Sequence, residues 1–387
     1  MENTQNNLSK TKPVLVFAGG GTAGHIMPNI ALIERLKNDF EICYIGAKNS
    51  LEQKIVSEIG FVKFFSIDVV KLIRAVNLKN CLIPFKLLKS KGQAKKILKD
   101  LSPNIIFSKG GFVALPVTMA AKGRWPLICH ESDISVGLAN RLAKKQADYF
   151  CTAFDCTADE HINGVWAGLP LRDGIKRDKV KGKARPMLLV MGGSLGANAI
   201  NAAVRGLVFD LVKCFDVVHI VGKGKICAKT QGEFDRVYRS GVDGINSVGA
   251  GGVGSGGKSE VGGKMGKYTQ VEFVTDMGEI YSKADVCISR GGATALFELV
   301  ATKTPSVVIP LPQSSGSRGD QVLNAEYFKN KGLIKVLYQE DLTADSLLKS
   351  VVDCFNDIVL KENLKNQNLE DSTEKIARLI LEYKNKG

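Results

Sequence analysis

His25 closes a run of small residues, Ala18-Gly-Gly-Gly-Thr22-Ala23-Gly24-His25, that follows the apolar stretch Val14-Leu-Val-Phe17 and precedes Pro28. Imidazole exchanges a proton near neutral pH, so a histidine at this place adds a group that can carry a proton. Bare backbone N–H groups at a helix start favour an anion, which makes the glycines beside it candidates to meet phosphate. Two more glycine turns occur, Met187-Leu-Leu-Val-Met-Gly192-Gly-Ser194-Leu-Gly196 and Ser289-Arg-Gly-Gly-Ala293-Thr-Ala-Leu-Phe-Glu298. Each leaves an apolar run and enters a helical pattern. Glu298, a turn and a half into its helix, can accept both hydroxyls of a ribose; an exposed helical carboxylate has the same spacing. His130-Glu131-Ser-Asp133 follows the apolar Leu127-Ile-Cys129, in the position where open α/β sheets bind ligands. His161 and His219 lack such a setting and read as structural.

Several chemistries are disfavoured. A nicotinamide-binding domain needs an acid about 20 residues beyond its glycine turn, and Ile45-Gly-Ala-Lys48 stands there instead. Neither an Asp-x-Asp pair nor a His/Cys cluster at metal spacing is present, so no metal and no cofactor is expected. Gly252-Val-Gly-Ser-Gly-Gly257-Lys258-Ser259 fits the phosphate-loop pattern. That pattern requires a strand before it and a helix after it, and Asn246-Ser-Val-Gly and Glu260-Val-Gly-Gly-Lys suit neither.

The elements that position these groups alternate. Strand candidates recur at 14–17, 42–45, 105–107, 127–129 and 149–152, and again at 187–190, 217–221, 271–274, 286–288, 306–309 and 334–337, with helical patterns between them. This alternation predicts two α/β domains in tandem, each a doubly wound parallel sheet. The expected boundaries are 1–168 and 187–362, with the polar, basic 169–186 as linker and the glycine-dense 240–267 as a surface insertion. Asp371-Ser-Thr-Glu374 resembles a capping box, and Ile376, Leu379, Ile380 and Tyr383 follow at helical spacing, predicting a closing amphipathic helix over 371–387.

A 387-residue chain with 44% hydrophobic residues can bury two cores, and its formal charge of +14 favours an anionic partner: nucleic acid, a membrane face or a phosphate-rich substrate. Nine scattered cysteines without a C-x-x-C read as reduced core residues of a cytosolic protein. Residues 1–12 are polar, and no apolar run is long enough to span a bilayer, so membrane contact is expected to be peripheral. The segment from Val69 to Leu101 carries nine lysines and arginines against one acid, Asp100, among apolar residues. That pattern suits an anionic bilayer surface, and equally a solvated helix packed on its own domain.

The ordered set of motifs resembles the MurG family, the peptidoglycan N-acetylglucosaminyltransferases. It comprises Gly-Gly-Thr22-Ala-Gly-His25-x-x-Pro28, Gly110-Gly-Phe112, His130-Glu131, Gly168-x-Pro170-x-Arg172, Gly192-Gly-Ser194-x-Gly196-Ala, the helix ending in Glu298, and Gln321-x-x-Asn324-Ala. The resemblance implies a GT-B architecture, two Rossmann-like domains facing across a cleft with the last helix crossing back to the first. It also implies inverting transfer of N-acetylglucosamine from UDP-N-acetylglucosamine to the C4 hydroxyl of lipid I, giving lipid II for cell wall synthesis. This would occur on the cytoplasmic face of an anionic bacterial membrane, where the basic segment docks, with no role for nucleic acid.

In family terms Arg172, Ser194, Val274 and the segment Ala293, Thr294, Ala295, Leu296, Phe297, Glu298 hold the uridine diphosphate. Glu298 takes the ribose, Gln321 reaches the sugar, and Asn324 is a further donor-binding position. Thr22, Ala23 and Gly24 approach from the first domain, which makes the opening glycine loop an acceptor-side wall. His25 is the candidate base, and Asp133, standing where the family usually has Asn, is both a sugar contact and a rival base. Phe112 and Asp320 also depart from the usual pattern. Two other readings share the architecture: a UDP-N-acetylglucosamine 2-epimerase, and a catalytically weakened sugar-nucleotide-binding relative.

Overall fold

The computed structural model describes residues 12–69, 83–158, 162–193, 195–236, 265–313 and 318–385. The chain divides into two units, Met1–Asp173 with Leu369–Gly387, and Gly174–Asn368. Each is α/β, organised on one parallel sheet.

The first unit contains β1 (Val14–Ala18), β2 (Glu41–Ala47), β3 (Lys63–Ile67), β4 (Ile105–Ser108), β5 (Leu127–Glu131), β6 (Tyr149–Thr152) and β7 (Gly164–Trp166), in the order β3-β2-β1-β4-β5-β6-β7. Its helices include α1 (Ala23–Leu36), α2 (Leu51–Ser57), α3 (Ile83–Leu101), α4 (Gly111–Ala121) and α5 (Leu138–Ala143). Side chains alternate across a strand, so β1 feeds two cores. Leu15 and Phe17 join Leu32 and Leu36 of α1 and Ile376, Ala377 and Ile380 of the last helix. Val16 and Ala18 join Ala94 and Leu98 of α3 and Ala114 and Val117 of α4. With both faces covered, the strands read as continuous apolar runs.

The last helix, Ser372–Leu381, starts where Asp371 accepts from the N–H groups of Thr373 and Glu374, both at 3.1 Å. It is held to α1 by Arg35 Nε on Glu374 at 2.7 Å. Ala377 takes the inner row beside Ile376 and Ile380, and Leu379 is only partly buried.

The second unit contains β8 (Met187–Met191), β9 (Asp216–Ile220), β10 (Tyr268–Val271), β11 (Val286–Ser289), β12 (Ser306–Val308) and β13 (Lys335–Val336), in the order β10-β9-β8-β11-β12-β13. Both sheets therefore reverse their strand order between two central strands, β1/β4 and β8/β11, where doubly wound folds take their ligands.

The structure differs from the sequence expectations at several points. β3 and β7 join the first sheet as extra edge strands. The strand expected at 271–274 instead ends at Val271, because its neighbour β9 gives way to a turn at Gly222 (φ +91) and no pairing partner remains for Val274. Helix α1 begins at Ala23, so Pro28 lies inside it rather than starting it. Residues 174–186, expected as linker, pack on the second unit. Lys179 Nζ donates to the carbonyls of Tyr281 and Ala284 (both 2.8 Å) and to Thr304 Oγ1 (2.7 Å), while Lys183 Nζ reaches the Lys283 carbonyl at 2.7 Å. Carbonyls at the end of a helix, here Met277–Lys283, carry partial negative charge, and these lysines add donors there, Tyr281 also accepting from Ala284 N–H at 3.2 Å. Of the cysteines, Cys156 and Cys214 are exposed rather than core residues. Residues 240–264 of the glycine-dense insertion, with its phosphate-loop pattern, His161, and 70–82 of the basic segment lie outside the described residues.

Candidate functional site

Beyond β1 the chain turns through Gly21 (φ +88), where a Cβ would come 2.5 Å from the Phe112 ring. Glu52, 1% exposed, reaches this loop from the first turn of α2. Its Oε2 accepts from Gly21 N–H at 3.2 Å and its Oε1 from Ala47 N–H at 3.1 Å. A resident carboxylate thus occupies part of the loop and repels a second anion there, so this turn is shaped as a wall more than as a phosphate cradle. His25, the third residue of α1, lies against the start of α4: a Cβ on Gly111 would stand 3.9 Å from its ring. Its Nδ1 is 2.8 Å from Thr22 Oγ1. When Nδ1–H donates to that hydroxyl, Nε2 carries the lone pair a base needs.

At the end of β5, His130 Nε2 lies 2.8 Å from the Gly168 carbonyl, which can only accept, so Nε2 carries the hydrogen. Nδ1 therefore accepts, and its donor is Lys109 Nζ at 2.8 Å. Lys109 also donates to Ser132 Oγ. Burial, reinforced by the Lys109 charge, holds the His130 pKa well below the usual histidine range. With its lone pair covered and its ring neutral, His130 is not a base. Burial pushes Lys109 down to about 8, against the opposing pull of Glu131 and Asp133.

Glu131 is equally committed. Oε1 accepts from the N–H groups of Ser132 (2.9 Å) and Asp133 (3.1 Å), Oε2 from Gly137 N–H (2.8 Å) and Asn140 Nδ2 (3.0 Å). The loop that carries the half-buried Asp133 is wrapped round this carboxylate.

In the second unit a cavity of about 360 Å³ opens at the β8/β11 switch point. Its lining includes Gly192, Gly196 and Asn198 beyond β8, Lys225 beyond β9, Arg290 beyond β11 and Gln321. The glycines are sterically required: a Cβ on Gly196 (φ +67) would meet the Val221 carbonyl oxygen at 1.9 Å, and one on Gly291 the Gln321 carbonyl oxygen at 2.3 Å. Two helices, Asn198–Gly206 and Ala293–Ala301, begin here without a side-chain cap. Arg290, 9% exposed, is aimed by the Ile309 carbonyl (2.9 Å) and Gln339 Oε1 (2.8 Å). Burial lowers its pKa from the ordinary arginine value, but arginine remains cationic in proteins. Two cations and two uncapped helix starts suit a diphosphate.

The sequence-predicted residues fall as follows. Thr22, Ala23, Gly24 and His25 stand at the start of α1, Asp133 on the loop after β5, and Arg172 on the segment leaving the first unit. Ser194 lies outside the described residues. Val274 is half-buried beyond β10. Leu296 and Phe297 are buried, Phe297 edge-on to Phe328 at 5.1 Å; Thr294 is half-buried, and Ala295 packs against the core of the second unit, so neither Ala295, Leu296 nor Phe297 offers its side chain to a ligand. Glu298, 7% exposed, accepts from Tyr281 Oη at 3.1 Å. Gln321 Oε1 accepts from Leu311 N–H at 2.9 Å, and Asn324 Nδ2 donates to the Gly291 carbonyl at 3.2 Å, holding the glycine turn. His219 is structural, between Tyr268 Oη (3.1 Å) and Asn201 Oδ1 (3.0 Å). Among the described residues no three His, Cys, Asp or Glu gather as a metal would require.

Sequence reasoning missed Glu52, Lys109, Lys225 and Arg290 as site residues. Lys109 had a signal, a lone charge between an apolar strand and a glycine pair. Glu52 had only its place after the cap Ser50.

The glycosyltransferase family 28 N-terminal domain matches residues 15–151 and the glycosyltransferase family 28 C-terminal domain residues 187–380. The chain is 39% identical over 384 residues, 96% of its length and 99% of the relative, to the UDP-N-acetylglucosamine--N-acetylmuramyl-(pentapeptide) pyrophosphoryl-undecaprenol N-acetylglucosamine transferase of Lachnoclostridium phytofermentans. It is 36% identical to the same enzyme of Clostridium novyi, covering 97% of this chain and 100% of that one. In fold it is similar to the crystal structure of Acinetobacter baumannii MurG, with a TM-score of 0.70 at 21% identity over 96% of this chain and 99% of that chain. Conserved length, domain models and fold agree: the chain belongs to the MurG family within glycosyltransferase family 28.

Proposed function

We propose that this protein transfers N-acetylglucosamine from UDP-N-acetylglucosamine to the C4 hydroxyl of the muramoyl sugar of lipid I, forming lipid II. The observation that carries this is identity of 36–39% to transferases of that name over nearly the whole of both chains. The cavity at the β8/β11 switch point supports the donor half of the reading.

Inversion follows from one in-line displacement. The acceptor oxygen bonds to C1 of the sugar, the bond from C1 to the diphosphate oxygen breaks, and UDP leaves with the electron pair. Arg290, Lys225 and the helix starts at Asn198 and Ala293 meet the charge that grows on the diphosphate. Glu298 takes the ribose hydroxyls and Gln321 lines the sugar end, while the fully buried Asn324 serves by holding the Gly291 turn. On the first unit His25 accepts the proton of the attacking hydroxyl, with Thr22 orienting its ring.

The acceptor carries a polyprenyl chain, and α3 offers a surface to its membrane. That helix buries Ser90, Ala94 and Leu98 but exposes Phe85 (72%) and Leu88 (60%) amid Lys86, Lys89, Lys96 and Lys99. α5, packed like α3 against α4, adds exposed Leu138, Leu142 and Arg141, and Lys145 follows in the turn just beyond it. Exposed apolar side chains ringed by lysine favour an anionic bilayer face. Among the described residues no helix is long and apolar enough to cross a membrane.

Incubation with labelled UDP-N-acetylglucosamine and a lipid I analogue tests the whole reading. Label should move to the lipid. A changed free sugar nucleotide would favour an epimerase, and binding without turnover a sugar-nucleotide-binding relative.

A further inference from the structure

Lys109 stands between Ser108, the last residue of β4, and the left-handed Gly110 (φ +78), and is 1% exposed. Burying an ammonium costs several kcal/mol, whereas a methionine would fill the same space without that cost. The hydrogen bonds of Lys109 run to His130 Nδ1 on β5 and to Ser132 Oγ, the neighbour of Asp133. The backbone of Ser132 and Asp133 is gripped from the other side by Glu131 Oε1. The charged and titratable groups facing the ammonium are His130 and Glu131 of β5, Asp133 of the loop and the Cys151 thiol of β6. His130 is neutral, so Lys109 brings the cation to a strand end that carries two carboxylates.

We propose that Lys109 is a positioning residue of the transfer reaction: through Ser132 and His130 its buried ammonium fixes the loop that presents Asp133 and balances the charge of that carboxylate. The Lys109–His130–Gly168 chain of bonds joins β4 and β5 to the segment that leads to Arg172, so one cation sets several loops at once. This inference rests on the proposed transfer for its catalytic half. The pairing itself can be read without turnover.

The test is a double-mutant cycle in the full chain. K109M should lower kcat about 10- to 100-fold, the usual cost of losing a partner that orients a site residue, with UDP affinity within twofold of the parent. D133N should also lower kcat, and K109M/D133N should cost no more than the worse single variant. Multiplying losses, or an unchanged kcat in K109M, would overturn the proposal. K109Q, which keeps a donor to His130, serves if K109M does not fold, and the same outcomes apply to it. In parallel, a lysine 13Cε titration should show two midpoints at about 8, from Lys109 and Lys179; the one absent from the Lys109 variant belongs to Lys109 and should move lower in D133N, while the Lys179 midpoint stays in place. A Lys109 midpoint unmoved in D133N would refute the charge balance. If the parent protein moves no sugar to lipid I, the function reading fails, and this titration still decides the pairing.

Discussion

Replacing Glu52 by Gln tests whether a carboxylate in the opening glycine loop organises the residues that do the chemistry. Gln matches Glu in size, but one of its terminal atoms is an NH2 group. Glu52 accepts a backbone N–H at each oxygen, from Gly21 at 3.2 Å and Ala47 at 3.1 Å, so in E52Q one amide donor must face another. Losing one hydrogen bond to a charged, buried acceptor costs about 2 kcal/mol. In a unit of this size that lowers Tm by about 4–8 °C. If the whole cost falls on the loop that carries Thr22 and His25, kcat drops by as much as about 30-fold. UDP affinity should stay at the parent value, because the diphosphate cavity is built from the second unit. The assays are thermal unfolding, initial rates with a lipid I analogue, and UDP titration calorimetry. An E52Q protein with parental Tm and kcat would refute the reasoning. So would a loss of UDP affinity as large as the loss of kcat.

Arg290→Met removes a cation aimed into the cavity and should weaken UDP binding about 30- to 100-fold, equivalent to about 2–3 kcal/mol for charge-assisted bonds; calorimetric affinity near the parent value would exclude Arg290 from diphosphate binding. His219 is buried neutral with its pKa lowered to about 3, first by burial and then by Arg205. The unfolded chain therefore binds the extra proton below pH 6.5, and stability falls as pH drops toward 3, by about 1.4 kcal/mol per pH unit. His130 acts in the same direction in the first unit, and denaturant unfolding between pH 7 and 4 that shows no such loss would contradict both. F85D/L88D on α3 should cut binding to anionic vesicles at least about tenfold, given about 1.5–3 kcal/mol per buried apolar side chain, while transfer to a water-soluble acceptor persists. Equal loss of both activities would argue that α3 serves the fold and not the membrane.

What the sequence determined by itself was the repeated unit. Continuous apolar runs such as Leu188-Leu-Val190, each followed by glycine and then a helical pattern, admit only buried parallel strands with helices across both faces. The glycine turns were legible for the same local reason, since only glycine tolerates the left-handed backbone at Gly21 and Gly196. Edge strands β3 and β7 escaped because an edge is half exposed: Lys63 and Ser66 interrupt the apolar run of β3, and β7 is only three residues long. The basic segment 174–186 has the composition of a linker, and only packing revealed that its lysines satisfy carbonyls at the end of a helix. The tertiary structure alone decided which charged groups stand at the strand ends and which are spoken for. Glu131 and His130, prominent in the sequence, are consumed by bonds to loop amides, Lys109 and Gly168. Glu52, Lys109 and Arg290, not singled out from the sequence as site residues, arrive at the strand ends from separate stretches of chain. The physical reason is one of range: backbone conformation is set by neighbours in sequence, whereas the fate of a buried charge is set by whatever partner the fold brings within about 3 Å of it.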